Sequence, residues 1–314
     1  MTQLDEKLGA LNQDIDRLMA SKPYLQPLLD AFRPLILVRH RLLSAPWEKS
    51  TEYPLISAMK ILRENEEANI RSALPCYLDP LRFSSGVPLL QQCQLFLPTD
   101  PWREIAQAVM DAIREGFPHC AQDMDALAAC IAEGRMDLYD FFISSTSADG
   151  AQLSERAQDI PLAPASLALF FNVVARIVLS RRASDTARQI APLSWSKGYC
   201  PVCGSFPMLS ISRDKGQRWL QCAQCSHEWQ YPWGKCPWCE HESPEEKEYF
   251  FVEGEAEEKG FSCEHCQKYL LSLRRPTGLL DEDNDIAAIS LAHLDLILQK
   301  KGYRPMADCA WNVF

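Results

Sequence analysis

The chain has 314 residues, is 47% hydrophobic and carries a formal net charge of −10. That length and apolar content are enough for a sizeable core and for two domains or more. The acidic balance disfavours phosphate backbones as partners. Membrane insertion is not expected either, because the longest apolar stretch, Leu167 to Leu179, is interrupted by Asn172 and Arg176. The first residues, Met1 to Glu6, show no basic segment leading into an apolar core, so a cytoplasmic, reducing location is expected. In such a compartment paired thiols serve as metal ligands sooner than as disulfides.

Residues 1–190 read as an irregular helical domain. Leu4, Leu8, Leu11, Ile15 and Leu18 recur at spacings of three and four, one apolar stripe of a helix over Leu4 to Met19. Thr99-Asp100-Pro101 has the form of a helix start, with a capping side chain followed by proline, and it leads into Trp102, Ile105, Val109 and Ile113 on one face. Ala165 to Leu179 repeats the pattern with Phe170, Val174, Ile177 and Val178. Frequent prolines divide the region into short helices.

Composition changes near Ala191-Pro192-Leu193. Beyond that point lie six of the eight tryptophans and four C-x-x-C pairs: Cys200/Cys203, Cys222/Cys225, Cys236/Cys239 and Cys263/Cys266. Two residues between two cysteines let a tight turn aim both sulfurs at one point, and two such turns complete a closed tetrathiolate. Short β-like runs surround the turns: Phe206 to Ser212, Gln217 to Gln221, His227 to Tyr231 and Glu248 to Val252. The order of knuckle, hairpin, knuckle and strand is that of a zinc ribbon or rubredoxin-like module. The fold class is therefore α+β: the helical domain, a first four-cysteine ribbon at 191–232, and a second at 233–314 that ends in a helix over Asp283 to Lys301, with Gly302 as its stop.

Eighteen residues separate the first pair from the second, and twenty-three separate the third from the fourth, each enough for one hairpin. Sequential pairing, one metal per ribbon, is the simplest assignment; crosswise pairing, first with third and second with fourth, is the alternative. Gly204 follows the first knuckle, where a left-handed residue aims backbone N–H groups at sulfur. Glu240 follows the third, where glycine would be easier. All-sulfur tetrahedra select zinc or iron over magnesium or calcium, and do not separate the first two. From Cys200 onward, 12 Lys/Arg stand against 18 Asp/Glu, or −6, and two dications on eight thiolates would take this half to −10. A nucleic-acid-binding zinc ribbon is disfavoured on that count.

Other residues have plainer readings. Cys76, Cys93, Cys120, Cys130 and Cys309 lie outside the pairs and read as small core residues. His227, His241 and His265 read as exposed neighbours of knuckles, since eight thiolates already complete two sites. His119 beside Cys120 is not evidence of a nucleophile and base, and no nucleotide-binding, metalloprotease or hydrolase motif is present.

The second half resembles the formate dehydrogenase accessory protein FdhE family. The likeness is carried by Trp195, Gly198, Cys200 to Ser205, Trp219 to Cys225, Trp229, Lys235-Cys236, Cys239, Cys263 to Cys266, Lys268 to Leu270, Asp285 to Ile289, Leu294 to Leu298 and Gly302-Tyr303. The resemblance implies a cytoplasmic, non-enzymatic maturation factor whose partner is the formate dehydrogenase catalytic subunit, met before assembly or export. It also implies two mononuclear tetrathiolate centres, iron of the rubredoxin type or zinc, on the eight paired cysteines. An electron carrier acting on the client enzyme is the alternative. Trp229, Tyr231, Trp233 and Trp238 cluster at the ribbon junction and mark the expected client contact.

Overall fold

The computed structural model describes residues 3–47, 60–61, 77–146, 162–213, 216–243, 245, 247–252, 257–275 and 283–312. Two compact units emerge, one from residues 1–8, 30–81 and 89–192, the other from 9–29, 82–88 and 193–314. Helices α1 (Gln3–Ser21) and α2 (Gln26–Ser44) contribute residues to both. The α1 stripe is real: Leu11 and Ile15 are buried, while its charged positions face outward.

The first unit is built on α4 (Trp102–Gly116), α5 (Ala121–Ala132), α6 (Leu138–Thr146) and α7 (Pro164–Ile190), after the parallel pair β1 (Lys60–Ile61) and β2 (Tyr77–Leu78); a short α3 (Pro80–Ser84) contributes residues to both units. Apolar residues at helical spacing form its core: Ile105, Val109 and Ile113 of α4, and Phe170, Val174 and Ile177 of α7, are buried. Rings reinforce it, with Phe142 stacked on Phe96 at 5.1 Å and on Trp102 at 5.3 Å. Asp100 does not cap α4 as expected. It accepts the Leu97 N–H at 2.9 Å and forms a buried ion pair with Arg182 of α7, whose Nε donates to the Leu95 carbonyl at 2.9 Å. An aspartate beside a buried guanidinium gains more there than from exposed amides at a helix start.

By length and composition α7, with 27 residues, could cross a membrane. The helix is longer than the apolar stretch suggests, but Phe170, Val174, Ile177 and Val178 are wholly buried within the first unit, as is the Arg182–Asp100 pair. This is the pattern of a core helix. Among the other cysteines, Cys120, Cys130 and Cys309 are buried and reduced. Cys93 is buried, as expected of a core residue, and is disulfide-bonded, and Cys76 lies outside the described residues.

The second unit centres on one sheet of β3 (Pro207–Ser212), β4 (Arg218–Cys222), β5 (Glu228–Gln230), β6 (Lys247–Phe250), β7 (Glu258–Cys263), β8 (Lys268–Arg274) and β9 (Arg304–Pro305). Their order is β5-β4-β3-β8-β7-β6, with β9 also on β8. Each ribbon is an antiparallel three-stranded sheet. The two join through a parallel pairing of β3 with β8, Leu209 opposite Leu271 to Ser212 opposite Arg274. Both joining strands are buried along most of their length, as parallel pairs require.

The helix expected over 283–301 is two, α8 (Asn284–Ser290) and α9 (Ala292–Lys300), divided at buried Leu291. Asp283 caps the first by accepting the N–H groups of Asp285 and Ile286. Gly302, at φ 95°, closes the second, and the Tyr303 N–H returns to the Leu298 carbonyl. A buried polar link fixes α9 to the sheet. The Tyr269 hydroxyl of β8 donates to Asp295 Oδ1 at 2.5 Å, and Gln299 Nε2 donates both to that hydroxyl and to the Asn312 carbonyl.

Burial lifts the Asp295 carboxyl to about 7, against hydrogen bonds from Tyr269 and Asn312 that lower it. An unfolded aspartate titrates near ~4, so the folded chain holds the extra proton between those values, and this group's contribution to stability falls as pH rises through them. Asp295→Asn preserves the acceptor for Tyr269 and removes the titration. Thermal unfolding at about pH 5.5 and about pH 8 should show a drop in the native chain that is smaller in the variant; equal drops would remove Asp295 from the account.

Candidate metal centres

The structure brings the eight paired thiols together in two groups, Cys200, Cys203, Cys222 and Cys225 in one, Cys236, Cys239, Cys263 and Cys266 in the other. Within each group all sulfurs lie within 4.8 Å of one another. The grouping is sequential, first knuckle with second and third with fourth.

The four knuckles share one backbone construction. The first cysteine donates its N–H to the carbonyl five residues on: Cys200 to Ser205, Cys222 to His227 and Cys236 to His241, each at 2.9 Å. In the fourth, Cys263 stands opposite Lys268 at the end of the β7–β8 hairpin. The residue after the second cysteine is left-handed in every case: Gly204 at φ 82°, Ser226 at 56°, Glu240 at 58° and Gln267 at 56°. Ser226, Glu240 and Gln267 are the only non-glycine residues with positive φ among the described residues. Left-handed backbone at such residues is costly and concentrates where surrounding structure enforces it. The third knuckle therefore does not depart from the others. Glu240 takes the turn and is held by Lys197 Nζ at 3.5 Å and Lys235 Nζ at 3.7 Å.

Sulfur spacing tests the fit to a metal. Metal–sulfur bonds of about 2.3 Å in a regular tetrahedron put the sulfurs roughly 3.8 Å apart. In the second group Cys236 to Cys266 and Cys239 to Cys263 are both 3.8 Å. The first group is tighter, 3.4 Å for Cys200 to Cys225 and 3.3 Å for Cys203 to Cys222. All eight are free thiols. Backbone N–H groups of Val202, Gln224 and Cys225 point at sulfurs of the first group at 3.3–3.4 Å. The donor set suits a thiophilic dication such as zinc or ferrous iron.

Electrostatics lead the same way. Burial pushes the Cys200 and Cys225 thiols up, while hydrogen bonds from Cys200, Cys222 and Cys225 pull Cys203 down. In the second group Cys266 and neighbouring donors lower Cys236 to about 5, Cys266 rises in return, and burial lifts Cys239 to about 11. Without a cation, one thiolate forms only by holding its neighbours protonated; a dication would favour all four.

No histidine joins either group. His227 is half-buried, and burial lowers it to about 4. His241 and His265 stack on each other beside the second group, ring centroids 4.5 Å apart. Of the four junction aromatics, Trp229 and Tyr231 are core residues and Trp233 is half-buried. Trp238 is 38% exposed, lies on Phe206 at 4.1 Å and carries Lys268 Nζ over its ring at 3.9 Å.

The family comparison meets this geometry directly. The profile described as FdhE, central domain, matches residues 199–232, the span of the first thiol group. An FdhE homolog of Edwardsiella ictaluri is 28% identical over 70% of this chain and 68% of its own. The crystal structure of the FdhE protein from Pseudomonas aeruginosa covers 97% of this chain and 94% of that one with a TM-score of 0.55, at 18% identity, and so shares the fold. The chain is similar to FdhE proteins in sequence and in fold. The chain spans less than half the length of two relatives it matches at higher identity: 33% with the FdhE homolog of Aquifex aeolicus over 40% of that relative, and 30% with FdhE of Escherichia coli K12 over 44% of it. The α+β architecture is that of the FdhE structure, with helices leading into a sheet that carries two four-cysteine groups.

Gly198 is a contact the cysteine pattern does not announce. A Cβ there would lie 1.9 Å from the Pro237 carbonyl oxygen and 2.5 Å from its carbon, so the segment entering the first knuckle rests against the backbone of the third. Sequence marks Gly198 only as part of the resemblance, because the contact is with a residue thirty-nine positions on.

Substitutions at the thiols and at Gly198 test these contacts. Cys200→Ser and Cys222→Ser should each lower metal content by about one ion, with no further loss when combined, and Cys236→Ser and Cys263→Ser should behave likewise; native mass spectrometry reads the stoichiometry, and losses shared between Cys200 and Cys236 would contradict the grouping. Gly198→Ala should displace the third knuckle and destabilise the second centre by about 1–3 kcal/mol or more through backbone overlap. Full retention of two ions with unchanged thermal stability would show that the contact is slack.

Proposed function

We propose that the chain is an accessory and maturation factor for formate dehydrogenase, not an enzyme, and that it binds the catalytic subunit in the cytoplasm before assembly or export. The observation that carries this reading is the match of the FdhE central domain to the residues that build the first thiol group, within a whole-chain FdhE fold. All eight paired cysteines then act as metal ligands, two tetrathiolate centres of iron or zinc. The functional division is a helical domain over 1–190 and ribbons over 191–232 and 233–314.

In this reading the metals fix two hairpins whose hydrophobic content is too small to hold them alone. What the client meets is protein surface. Trp238 is the aromatic best placed to serve as an anchor, because the knuckle fixes its backbone and Phe206 supports its ring. The acidic surface argues against nucleic acid as a partner.

A redox role is the second reading, and one observation favours it. Tyr199, next to Cys200, packs on Phe206 at 6.1 Å, and Phe206 packs on Trp238, between Cys236 and Cys239, at 4.1 Å. The rings form a continuous path from one thiol group to the other.

The test is complementation of a strain lacking the gene. Loss of the gene should abolish formate dehydrogenase activity and leave unrelated molybdoenzymes working; normal formate oxidation would refute the assignment. In pulldowns from the same strain, Trp238→Ala should weaken capture of the catalytic subunit by roughly tenfold or more while keeping both metals, as expected of an anchor residue. Visible absorbance of anaerobically purified protein separates iron from a purely structural zinc role.

A further inference from the structure

Arg218 is the most deeply buried cation of the second unit, 2% exposed, in a strand that ends at the ligand-position thiol Cys222. Its Nε donates to Ser210 Oγ at 3.0 Å. Its Nη1 lies 3.4 Å from the Pro232 carbonyl and 3.3 Å from that of Lys235, the residue before Cys236. Its Nη2 is buried and makes no hydrogen bond. The guanidinium lies between two rings, with Trp233 and Phe261 each centred 5.1 Å from Cζ. Among the described residues no carboxylate forms an ion pair with it.

Burying a guanidinium without a counter-charge costs several kcal/mol, and folded chains rarely leave one so. Cations flanking the third and fourth knuckles are engaged elsewhere: Lys235 with Glu240 and Glu242, Lys268 with the Pro305 carbonyl and the Trp238 ring. Arg218 has the opposite condition, a fixed positive charge with nothing negative beside it. Burial lowers its pKa to about 10, with Tyr249 and then Cys236 opposing, so it remains charged at neutral pH. The second thiol group has the complementary need: four thiolates around a dication carry a net charge of −2.

We infer that Arg218 is the internal counter-charge of the second tetrathiolate centre, supplied across the ribbon junction by the first ribbon. This rests on the reading that both thiol groups bind metal. Arg218 is then a positioning residue with two effects. Its hydrogen bonds to the Pro232 and Lys235 carbonyls hold the entry to Cys236, and its charge offsets the dianion behind that entry. Backbone N–H groups of Val202, Gln224 and Cys225 point at sulfurs of the first thiol group.

The test compares full-length chains carrying Arg218, R218K and R218M, with Cys236→Ser as the reference that lacks the second centre. Zinc competition with a chromophoric chelator should resolve two ions in the native chain; fewer than two would defeat the underlying metal reading and not this inference. R218M should weaken the ion that Cys236→Ser removes by tenfold or more and leave the other unchanged. R218K, which restores charge without the fork, should recover most of that loss. In iron-loaded protein R218M should move the reduction potential of the second centre negative, because the lost cation favours the more negative reduced state, and R218K should not. Native affinity in R218M would overturn the inference. So would equal loss in R218K and R218M, or equal weakening of both ions in a folded R218M chain.

Discussion

Four thiols crowded within 4.8 Å cannot all ionise against one another, and the second unit is arranged around that conflict. Each knuckle turns its chain through a left-handed residue, and three of the four do so without glycine. At roughly 1–2 kcal/mol each, those three turns cost about 3–6 kcal/mol. A structural tetrathiolate can contribute on the order of 10 kcal/mol or more per ion, which exceeds that cost on its own. An ion held by each thiol group would therefore offset the strain of the turns that present its ligands. Glu240 shows how the side chain adapts: its carboxylate turns outward to Lys197 and Lys235, leaving the sulfur-facing side of the turn to the backbone.

Most of this site was legible in sequence because C-x-x-C is local chemistry. The spacing suggested the thiol grouping, and β3, β4, β5 and β6 fall within a residue or two of the runs that suggested them, whereas β7 and β8 had no such run. Helices α1, α4 and α7 were legible for the same reason, an apolar stripe at one period. What escaped depends on distant partners. Asp100 looked like a cap because its neighbours had that form, but Arg182, eighty-two positions on, competes for it. The division between α8 and α9 has no glycine or proline to announce it. Of the tryptophans, composition could show only that they cluster; burial separates Trp229 from Trp238, and packing decides burial. Arg218 is a single basic residue in a short strand, and only the fold shows it facing no acid.

Sheet order gives the two ribbons a further relation. In each, the chain runs from first strand to third, and the joint sets the first strand of one against the third strand of the other. The ribbons are thus repeated by translation along the sheet, not by a two-fold axis, and their joint is heterologous. Arg218 and Gly198 both work across this arrangement, one by charge and one by leaving room.

That joint has a consequence for how the chain is made. Leu209 meets Leu271 only after sixty-two further residues have been synthesised. At about 5–20 residues per second the interval is roughly 3–12 s. Through it the first ribbon can close its own hairpin and gather its own four thiols, yet the outer edge of β3, with Met208, Leu209 and Ile211, has no strand beside it. An apolar edge left open for seconds is a template for pairing with another nascent chain. The second ribbon therefore completes the first in time as well as in space: the last long strand of the polypeptide is the one that seals its earliest exposed edge.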